Sequence, residues 1–454
     1  MELPDYFLAD LPDGSTLTPT LIFDACTTLK RNRERFLLTR STDSIIQRLA
    51  AIAKDWLDSD FVIRKAVLQN GPAITGFSKE TLASGLIAFF SQITKPSLET
   101  LLAQDIGSPR RLDEIVSDQN QPPTSRSSVV HGPELIAHFT GGVLPNPVLT
   151  SMILGLLTKS SQFFKCATGT SFIPRMFAHS LYMADPKLAS CLEVAEWKGG
   201  TDALEAELCR EATCVTVTGS DEAIDAIRKK VTVKKRFLGY GHKLSFGYVA
   251  REMLTRINLT AIISSAADDL VAWNQLGCLS PHIIYVESGG VLPAHEFAEL
   301  LAKELSEREH VEPRGAVSDD VAAAIARRRM FYEVRTAAAA QTKLWQSEGS
   351  TAWTVVYEDD PQWQTSCLNR FAYIKSVATL SQTLQAITPI QSHLSTVGLA
   401  APANRTREIA LEFSRFGATR ICRLGQMQNP PLAWRHDGRP ALGDLLTWTD
   451  FELE

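Results

Sequence analysis

The chain has 454 residues, enough for two or three packed units, because a single core rarely grows past about 250 to 300 residues. Its composition, 44% hydrophobic and 21% charged, is that of a soluble globular protein, and the net charge of -5 excludes a general attraction to nucleic acid. The eight cysteines show no CxxC pair or other metal-ligand spacing, so we expect reduced thiols in a cytoplasmic protein without a metal site.

The first 116 residues predict a helical N-terminal region. Their start lacks the basic and apolar parts of a signal peptide, and no stretch of the chain reaches the run of about 18 apolar residues that a membrane span needs. Residues 44–53 and 79–92 carry apolar side chains at three- and four-residue spacing, the period of an amphipathic helix. Residues 117–128 are rich in Pro, Ser and Gln, which predicts an exposed connection and a domain boundary there.

Residues 135–238 alternate strand and helix patterns. The predicted strands are 135–139, 163–165, 192–197, 214–217 and 236–238, and the predicted helices are 148–159, 173–184, 202–210 and 221–229. Repeated β-α units of this length predict a doubly wound parallel sheet, in which nucleotides bind at the carboxyl ends of the strands. No G-x-G-x-x-G follows any of these strands. The domain therefore either binds no dinucleotide or binds one differently.

Three short segments favour a bound dinucleotide. Lys165 ends a strand, where a cation can meet a ribose hydroxyl or a 2′-phosphate; a surface lysine is the alternative. Gly219 and Ser220 join a strand to a helix, so Ser220 can cap the helix and Gly219 permits close approach of a phosphate or nicotinamide; a plain capped helix is the alternative. Gly241 and His242 belong to a glycine-rich turn at 239–245, where His242 is a site residue or a loop histidine bonded to a carbonyl.

Cys278 is the candidate nucleophile. It lies between a helical pattern at 266–273 and an apolar, β-branched run at 282–286, with Gly277 before it. A helix-to-strand junction points backbone N–H groups at the oxygen that becomes negative when a thiolate attacks a carbonyl carbon. The pattern predicts acyl-transfer chemistry, and a buried structural cysteine is the alternative.

In this order, the segments resemble the aldehyde dehydrogenase superfamily and, more narrowly, the acyl-CoA reductases of the bacterial bioluminescence fatty-acid-reductase type. The most specific segments are 239–246, 275–281, 394–400, 417–431 and 434–440. The resemblance implies an α/β, aldehyde-dehydrogenase-like fold with a doubly wound parallel sheet in its cofactor domain. It divides the chain into a helical N-terminal region (1–116), a cofactor-binding domain (117–248), a catalytic domain (249–400) and a C-terminal segment (401–454) that returns to the cofactor and interface region.

The resemblance also implies an activity, the NADPH-dependent reduction of a fatty-acyl thioester to the aldehyde, with Cys278 carrying the acyl group. The preference for NADPH over NADH is based only on the resemblance and on Lys165. The partners implied are acyl-CoA or an acyl-carrier or acyl-synthetase protein, and a homo-oligomer is the usual state. The residues expected to bind the cofactor are Lys165, Gly219, Ser220, Gly241 and His242.

Two positions depart from relatives of this kind. Oxidising aldehyde dehydrogenases use a Glu in the glycine-rich turn to activate water, whereas this chain has Gly239 and Tyr240, so hydrolysis of an acyl-enzyme should be slow. Val143 stands where an Asn is the expected oxyanion donor. Either the backbone N–H of Cys278 takes over, Asn146 is repositioned, or this protein is slower.

Other functions stay open. The alternatives are an aldehyde dehydrogenase of the oxidising, CoA-acylating type and a non-redox acyl-relay or scaffold subunit. A basic block near the C-terminus could bind phosphates of CoA or a carrier, or a partner protein, but ordinary interface packing is favoured for it. Its arginines are Arg420, Arg423, Arg435 and Arg439.

Overall fold

The computed structural model describes residues 4–12, 14–117, 126–339 and 341–452. Most of the connection predicted at 117–128 lies outside the described residues, because 118–125 are not among them. The chain forms two compact units: unit 1 comprises Met1–Thr75, Leu86–Gly241 and Pro431–Glu454, and unit 2 comprises Gly76–Gly85 and His242–Pro430. The finer division after residues 116, 248 and 400 stays a prediction.

The N-terminal region is helical, as predicted. Its helices are α1 (Pro19–Asn32), α2 (Thr42–Leu57), α3 (Val62–Thr75), α4 (Lys79–Phe90) and α5 (Lys95–Ile106). The side chains of Thr18, Ser41 and Thr94 cap α1, α2 and α5 by accepting a hydrogen bond from a first-turn N–H. None of the helices in the described part of the chain combines the length and hydropathy that crossing a bilayer demands.

Unit 1 contains a doubly wound parallel sheet. Strands β1 (Val116–Ser117) and β2 (Ser127–His131) pair antiparallel before it begins. The elements that follow are β3 (Leu135–Thr140), α6 (Asn146–Leu157), β4 (Ser161–Cys166), α7 (Phe172–Ala184), α8 (Pro186–Ala189), β5 (Leu192–Glu196), α9 (Asp202–Glu211), β6 (Cys214–Thr218), α10 (Asp221–Arg228) and β7 (Arg236–Tyr240). The strand order is β5-β4-β3-β6-β7 and every pairing is parallel, which confirms the predicted sheet.

The two faces of this sheet are covered by different helices. On one face, Leu135 and Ala137 of β3 share a buried cluster with residues of α1 and α9. On the other face, Gln162 of β4 donates a 3.0 Å hydrogen bond from Nε2 to the carbonyl of Met152 in α6. The chain moves outward from β3 through β4 to β5 and then returns to β6, so the strand order reverses between β3 and β6. Ligands of doubly wound sheets bind at the carboxyl ends of strands at such a reversal.

Unit 2 contains a seven-stranded sheet. Its elements are β8 (Leu244–Val249), α11 (Leu259–Val271), β9 (Pro281–Glu287), α12 (Ala294–Val311), α13 (Asp319–Ala338), β10 (Thr342–Gln346), β11 (Thr354–Glu358), β12 (Phe371–Val377), α14 (Leu380–Ala386), β13 (Leu394–Ala400), α15 (Ala403–Phe416) and β14 (Arg420–Arg423). The order is β10-β11-β12-β9-β8-β13-β14, and only β10 runs antiparallel to its neighbour. One core packs α11 and α12 on this sheet, and another packs α13 and α15 on it.

The C-terminal segment completes unit 1. Strand β15 (Thr447–Phe451) pairs antiparallel with β2, giving a three-stranded sheet of order β1-β2-β15. Upstream of it, the Arg439 guanidinium lies 4.5 Å from the centroid of the Tyr240 ring and donates a 2.9 Å hydrogen bond to the carbonyl of Gly239. His436 stacks on the same ring, 4.8 Å between centroids.

The glycine-rich turn predicted at 239–245 is shorter than expected. Gly239 and Tyr240 are the last residues of β7, where they pair with Val217 and Thr218 of β6. Leu244 and Ser245 already belong to β8. Because strand pairing extends into both ends of the segment, only residues 241–243 connect the two strands.

Candidate functional site

Cys278 lies at a helix-to-strand junction, as predicted. Helix α11 ends at Val271, a short turn covers Ala272–Gln275, and β9 begins at Pro281. The Ser245 hydroxyl donates a 2.7 Å hydrogen bond to the carbonyl of Cys278 and accepts a 3.1 Å hydrogen bond from Thr396 N–H. The loop of Cys278 is therefore held by Ser245 of β8, which Thr396 of β13 holds in turn.

The exposure of Cys278 separates it from the other cysteines. Of the eight, all within the described part of the chain, Cys278 alone is exposed, so its alternative interpretation as a buried residue is wrong. Cys367 and Cys422 are partly exposed. Burial raises the pKa of the remaining thiols to about 12, which suppresses their thiolate form. These are Cys26, Cys166, Cys191, Cys209 and Cys214.

Two histidines lie at the same edge of the unit 2 sheet as Cys278. His242 shortly precedes β8 and His393 immediately precedes β13, while Cys278 precedes β9. These three strands are parallel neighbours, so their amino ends meet at one edge. The imidazole rings of His242 and His393 are 6.3 Å apart between centroids. Sequence analysis missed His393, because nothing in the sequence shows that β13 lies beside β8.

The turn before Cys278 has an unusual backbone. Trp273, Asn274 and Gln275 have φ of 49°, 53° and 63°, which places three successive non-glycine residues in the left-handed region. A second such run, Leu368–Arg370, precedes β12 with φ of 62°, 55° and 63°. The left-handed conformation costs roughly 1–2 kcal/mol for most residues. Gly adopts it readily, and Asn and Asp adopt it more easily than other residues do. The central residue of each run is Asn, and such strain concentrates at functional sites.

A C-terminal loop supports Cys278 from another side. The buried carboxyl of Asp269, on α11, accepts hydrogen bonds from the N–H groups of Gly425 and Met427. Burial raises the pKa of Asp269 to about 7. The neighbouring Gln428 donates from Nε2 to the hydroxyl of Ser280. Asp269 thus fixes the loop whose next residues contact the Cys278 segment.

In unit 1, the crevice at the β3–β6 reversal is lined by close-packed backbone. The Gly141 N–H donates a 2.7 Å hydrogen bond to the carbonyl of Thr218, and a Cβ at Gly141 would meet that oxygen at 2.8 Å. The Gly219 N–H donates to the carbonyl of Tyr240, 3.2 Å away. A Cβ at Gly241 would collide with the carboxylate of Asp221. The structure therefore brings two predicted cofactor residues, Gly219 and Gly241, together at the carboxyl ends of β6 and β7.

Ser220 begins the next helix. Its hydroxyl accepts a 3.3 Å hydrogen bond from Ala223 N–H, which is the N-cap geometry that the sequence predicts for α10. Asp221 and Glu222 occupy the first turn, so this helix end carries negative charge of its own. A neutral group such as a ribose or a nicotinamide therefore suits this position better than a phosphate.

Lys165 is a largely buried cation at the end of β4. Its side chain projects from the end of β4 with 6% of the residue exposed, and Nζ forms no hydrogen bond or ion pair within the described residues. Burial lowers its pKa. Nζ lies 5.8 Å from the centroid of the Trp197 ring, whose Nε1 is also buried without a hydrogen-bond partner in the described part of the chain. The buried Trp197 Nε1 is thus a donor available to a ligand oxygen; sequence analysis did not single out Trp197.

Val143 and Asn146 differ in surroundings. Val143 is 51% exposed and helps to line a cavity of about 160 Å³ with Thr168 and Phe172. Its side chain cannot donate a hydrogen bond. Asn146 is the first residue of α6, and its Oδ1 is buried without a partner within the described residues. A role for Asn146 as the replacement oxyanion donor stays a prediction.

The basic C-terminal block is in part structural. The guanidinium of Arg420 is buried and donates to the carbonyls of Met427 and Gln426, 2.6 and 2.7 Å away. Arg439 is held against Tyr240. These two arginines fit the packing interpretation.

The sequence model of the family described as acyl-CoA reductase (LuxC) matches residues 37–448. The chain belongs to the acyl-CoA reductase (LuxC) family. Membership confirms the family resemblance and the predicted enzyme class, an oxidoreductase that reduces an acyl thioester to the aldehyde.

Relatives of this acyl-CoA reductase family member are distant but match over most of their length. It is 22% identical to long-chain acyl-protein thioester reductase 2 of Photobacterium leiognathi over 416 residues, 90% of this chain and 82% of the relative. It is 21% identical to the long-chain acyl-protein thioester reductase of Vibrio harveyi over 423 residues, 92% of this chain and 84% of the relative.

Solved structures show the same fold. A putative aldehyde dehydrogenase from Anabaena variabilis has a TM-score of 0.69 and 14% identity, over 96% of this chain and 93% of that one. Bifunctional proline utilization A has a TM-score of 0.71 and 15% identity over 98% of this chain, which spans 46% of that longer protein. The NADP complex of glyceraldehyde-3-phosphate dehydrogenase from Methanocaldococcus jannaschii has a TM-score of 0.65 and 12% identity, over 96% of this chain and 95% of that one. The predicted aldehyde-dehydrogenase-like fold is confirmed.

Proposed function

We propose that this acyl-CoA reductase family member reduces a fatty-acyl thioester through an acyl-enzyme on Cys278, with NADPH as the reductant. The observation that carries the proposal is the exposure of Cys278 on a loop that hydrogen bonds from Ser245 and a left-handed turn hold in place. The names of the relatives, long-chain acyl-protein thioester reductases, support a fatty-acyl substrate.

Acyl transfer to Cys278 proceeds in two bond changes. The Sγ thiolate adds to the thioester carbonyl carbon, and the carbonyl π electrons move to oxygen. When that carbonyl re-forms, the bond to the donor sulfur breaks and the donor leaves as a thiolate, which takes a proton from solvent. A backbone N–H of the Cys278 loop is the available oxyanion donor, because Val143 offers none.

The cofactor half of the reaction is assigned to unit 1. Gly219 permits close approach of a ligand at the β3–β6 reversal, and the donors Lys165 Nζ and Trp197 Nε1 fit the oxygens of a ribose or a 2′-phosphate. When bound there, a reduced nicotinamide supplies the hydride that reduces the acyl group. Lys165 favours NADPH over NADH, since its ammonium gains most from a phosphate dianion.

Residues 239 and 240 favour reduction over hydrolysis. Gly239 has no side chain, and a Cβ there would meet Ile224 at 2.9 Å. The Tyr240 ring is covered by His436 and Arg439, and burial raises its pKa. Neither residue can serve as a base that activates water, so an acyl-enzyme would persist until it is reduced.

Release of the aldehyde restores the thiolate. The reduced species on Cys278 is a thiohemiacetal; its hydroxyl loses a proton, the carbonyl forms, and the carbon–sulfur bond breaks with its electron pair on Sγ. An imidazole can accept that proton, and His242 and His393 lie at the sheet edge that carries Cys278. The acyl donor is acyl-CoA or an acylated protein. Cytoplasmic location and a homo-oligomer stay predictions.

The test combines product analysis with trapping. Purified protein is incubated with palmitoyl-CoA and NADPH, and aldehyde is measured by mass spectrometry; without NADPH, intact mass is expected to show one acyl adduct on Cys278. Cys278→Ala should lose both signals, whereas Cys367→Ala, the matched control at a partly exposed cysteine, should keep both. An adduct without NADPH-dependent aldehyde would instead establish the non-redox relay. Aldehyde formed by Cys278→Ala would overturn the proposal.

A further inference from the structure

The two left-handed turns of unit 2 are bonded to each other. Arg370, the last residue of the second turn, donates from Nε to the Asn274 Oδ1 in the middle of the first, 3.1 Å away. Asn274 in turn donates from Nδ2 to the carbonyl of Arg314 at 2.7 Å. Asn274 is 3% exposed and Arg370 is fully buried, so water does not compete for these bonds.

Arg370 is itself fixed by groups from helix α12 and the residue after it. Its NH1 donates to the carboxylate of Glu309 at 3.0 Å and to the carbonyl of Glu312 at 2.8 Å. Glu309 also accepts from the N–H of Arg314, so the ion pair and the Asn274 contact share one network. Burial lowers the pKa of Arg370 to about 10. A guanidinium suits this position because its planar fork reaches three acceptors at fixed angles.

Gln275, the last residue of the first turn, links the two turns to the strands that follow them. Gln275 donates from Nε2 to the carbonyl of Pro281, at the start of β9, and to the carbonyl of Phe371, at the start of β12, at 2.8 and 3.0 Å. The Cys278 loop is thus closed at its base by Gln275 and Pro281. The path of the loop between these two residues depends on the conformation of Trp273–Gln275.

We propose that Arg370 is a positioning residue for Cys278: through Asn274 it holds the left-handed turn that sets the direction of the backbone, and hence of the Cys278 N–H and Sγ. This inference rests on the proposed function of Cys278, because a position matters only if the sulfur reacts. Residues held in an unfavourable backbone conformation keep it only where surrounding contacts enforce it. Arg370 supplies such contacts to the left-handed turn. A displacement of about 1 Å at a reacting group can cost about a hundredfold in rate.

The test compares two buried arginines of unit 2. Arg370→Lys removes the fork that reaches Asn274. Arg329→Lys is the matched control, because Arg329 is also buried, burial also lowers its pKa to about 10, and all its hydrogen bonds within the described residues go to 347–354. Asn274→Gly is the second variant, since glycine keeps access to the left-handed conformation while deleting the acceptor for Arg370.

Two measurements are made on each protein. The rate of acyl transfer from palmitoyl-CoA to Cys278 is followed in a single turnover without NADPH, and hydrogen–deuterium exchange is measured for peptides covering residues 272–280. Arg370→Lys and Asn274→Gly are expected to slow acylation about tenfold or more and to speed exchange of that segment. Arg329→Lys, at a similar loss of stability to urea, is expected to change neither.

The outcomes separate the two proposals. If the wild-type protein shows no acyl transfer, the proposed function fails, and the exchange data still decide whether Arg370 holds the turn. If acylation and exchange of the Arg370 variant match those of the wild type, or if Arg329→Lys produces the same changes, Arg370 is a structural residue only and the positioning role is overturned.

Discussion

The hydroxyl of Ser245 donates to the main-chain carbonyl of Cys278 across 2.7 Å. Ser245 is buried at the start of β8 and its oxygen simultaneously accepts from the N–H of Thr396 on β13. One side chain of β8 thus connects the loop of Cys278 to the main chain of β13. The bond orients the peptide group after Cys278.

Replacement of Ser245 by alanine is expected to cost both stability and rate. The carbonyl of Cys278 and the buried N–H of Thr396 lose their partner, which costs about 1–3 kcal/mol in the free energy of unfolding. Because the carbonyl of Cys278 is then free to rotate, acylation should slow about tenfold. Urea unfolding and single-turnover acylation measure the two effects. Ser395→Ala is the control; its buried hydroxyl contacts Thr396 Oγ1 at 3.4 Å. Equal rate losses in both variants would contradict a specific role for Ser245.

Thiol labelling should single out Cys278. In the native protein at pH 7.5, iodoacetamide is expected to alkylate Cys278 first, because it is the exposed cysteine, and Cys367 and Cys422 later. Burial raises the pKa of Cys422 to about 11, so its rate should climb steeply in alkaline buffer. Peptide mapping over time identifies the sites. A fast phase that survives Cys278→Ala would show that another cysteine is the reactive one, which would contradict the prediction.

Removal of the Lys165 ammonium should weaken NADPH binding selectively. Lys165→Met is expected to raise KM for NADPH about tenfold or more while leaving KM for NADH nearly unchanged, because only NADPH carries the 2′-phosphate. Since burial lowers the pKa of Lys165, the charge is lost at a lower pH than for an ordinary lysine. Wild-type KM for NADPH should therefore rise in alkaline buffer. Lys187→Met, at an exposed lysine of α8, is the control. Parallel losses for both cofactors would refute phosphate recognition.

Asp269 predicts a pH dependence of stability. Burial raises its native pKa to about 7 from 3.8, so the folded protein binds the proton more tightly than the unfolded chain does. The stability that protonated Asp269 gives to the folded protein is complete below the unfolded-state pKa, and it is lost as pH rises through about 7. Asp269→Asn removes this dependence. The free energy of unfolding of Asp269→Asn minus that of the wild type should therefore be higher at pH 8 than at pH 4, by about 1–4 kcal/mol.

Urea titrations at both pH values measure that difference. The control is Asp268→Asn, since the adjacent Asp268 is exposed and pairs with Arg308. A constant difference between Asp269→Asn and the wild type would show that Asp269 is ionised throughout the range.

The local elements of unit 1 were predictable from the sequence. The strand predicted at 214–217 is Cys214–Thr218, and the helix predicted at 221–229 is Asp221–Arg228. β-Branched runs and a serine cap encode these ends locally. The helix-to-strand junction at Cys278 was predictable for the same reason.

The arrangement of the site was not predictable in the same way. His393 meets His242 because β13 lies beside β8, and Trp197 meets Lys165 because β5 lies beside β4. Strand order is a tertiary property that a single sequence does not state. The left-handed conformation of Trp273 was also hidden, because bulky residues rarely adopt it and packing imposes it here.

The route of the chain bears on how the protein is made. Unit 1 takes residues from both ends of the sequence, whereas His242–Pro430 of unit 2 is finished before β15 leaves the ribosome. Until then β2 has one open edge, and an unpaired strand edge can recruit strands of other chains. A truncation after Pro430 would make that exposure permanent. Synthesis of residues 431–451 is therefore the step that closes this edge and removes a route to aggregation.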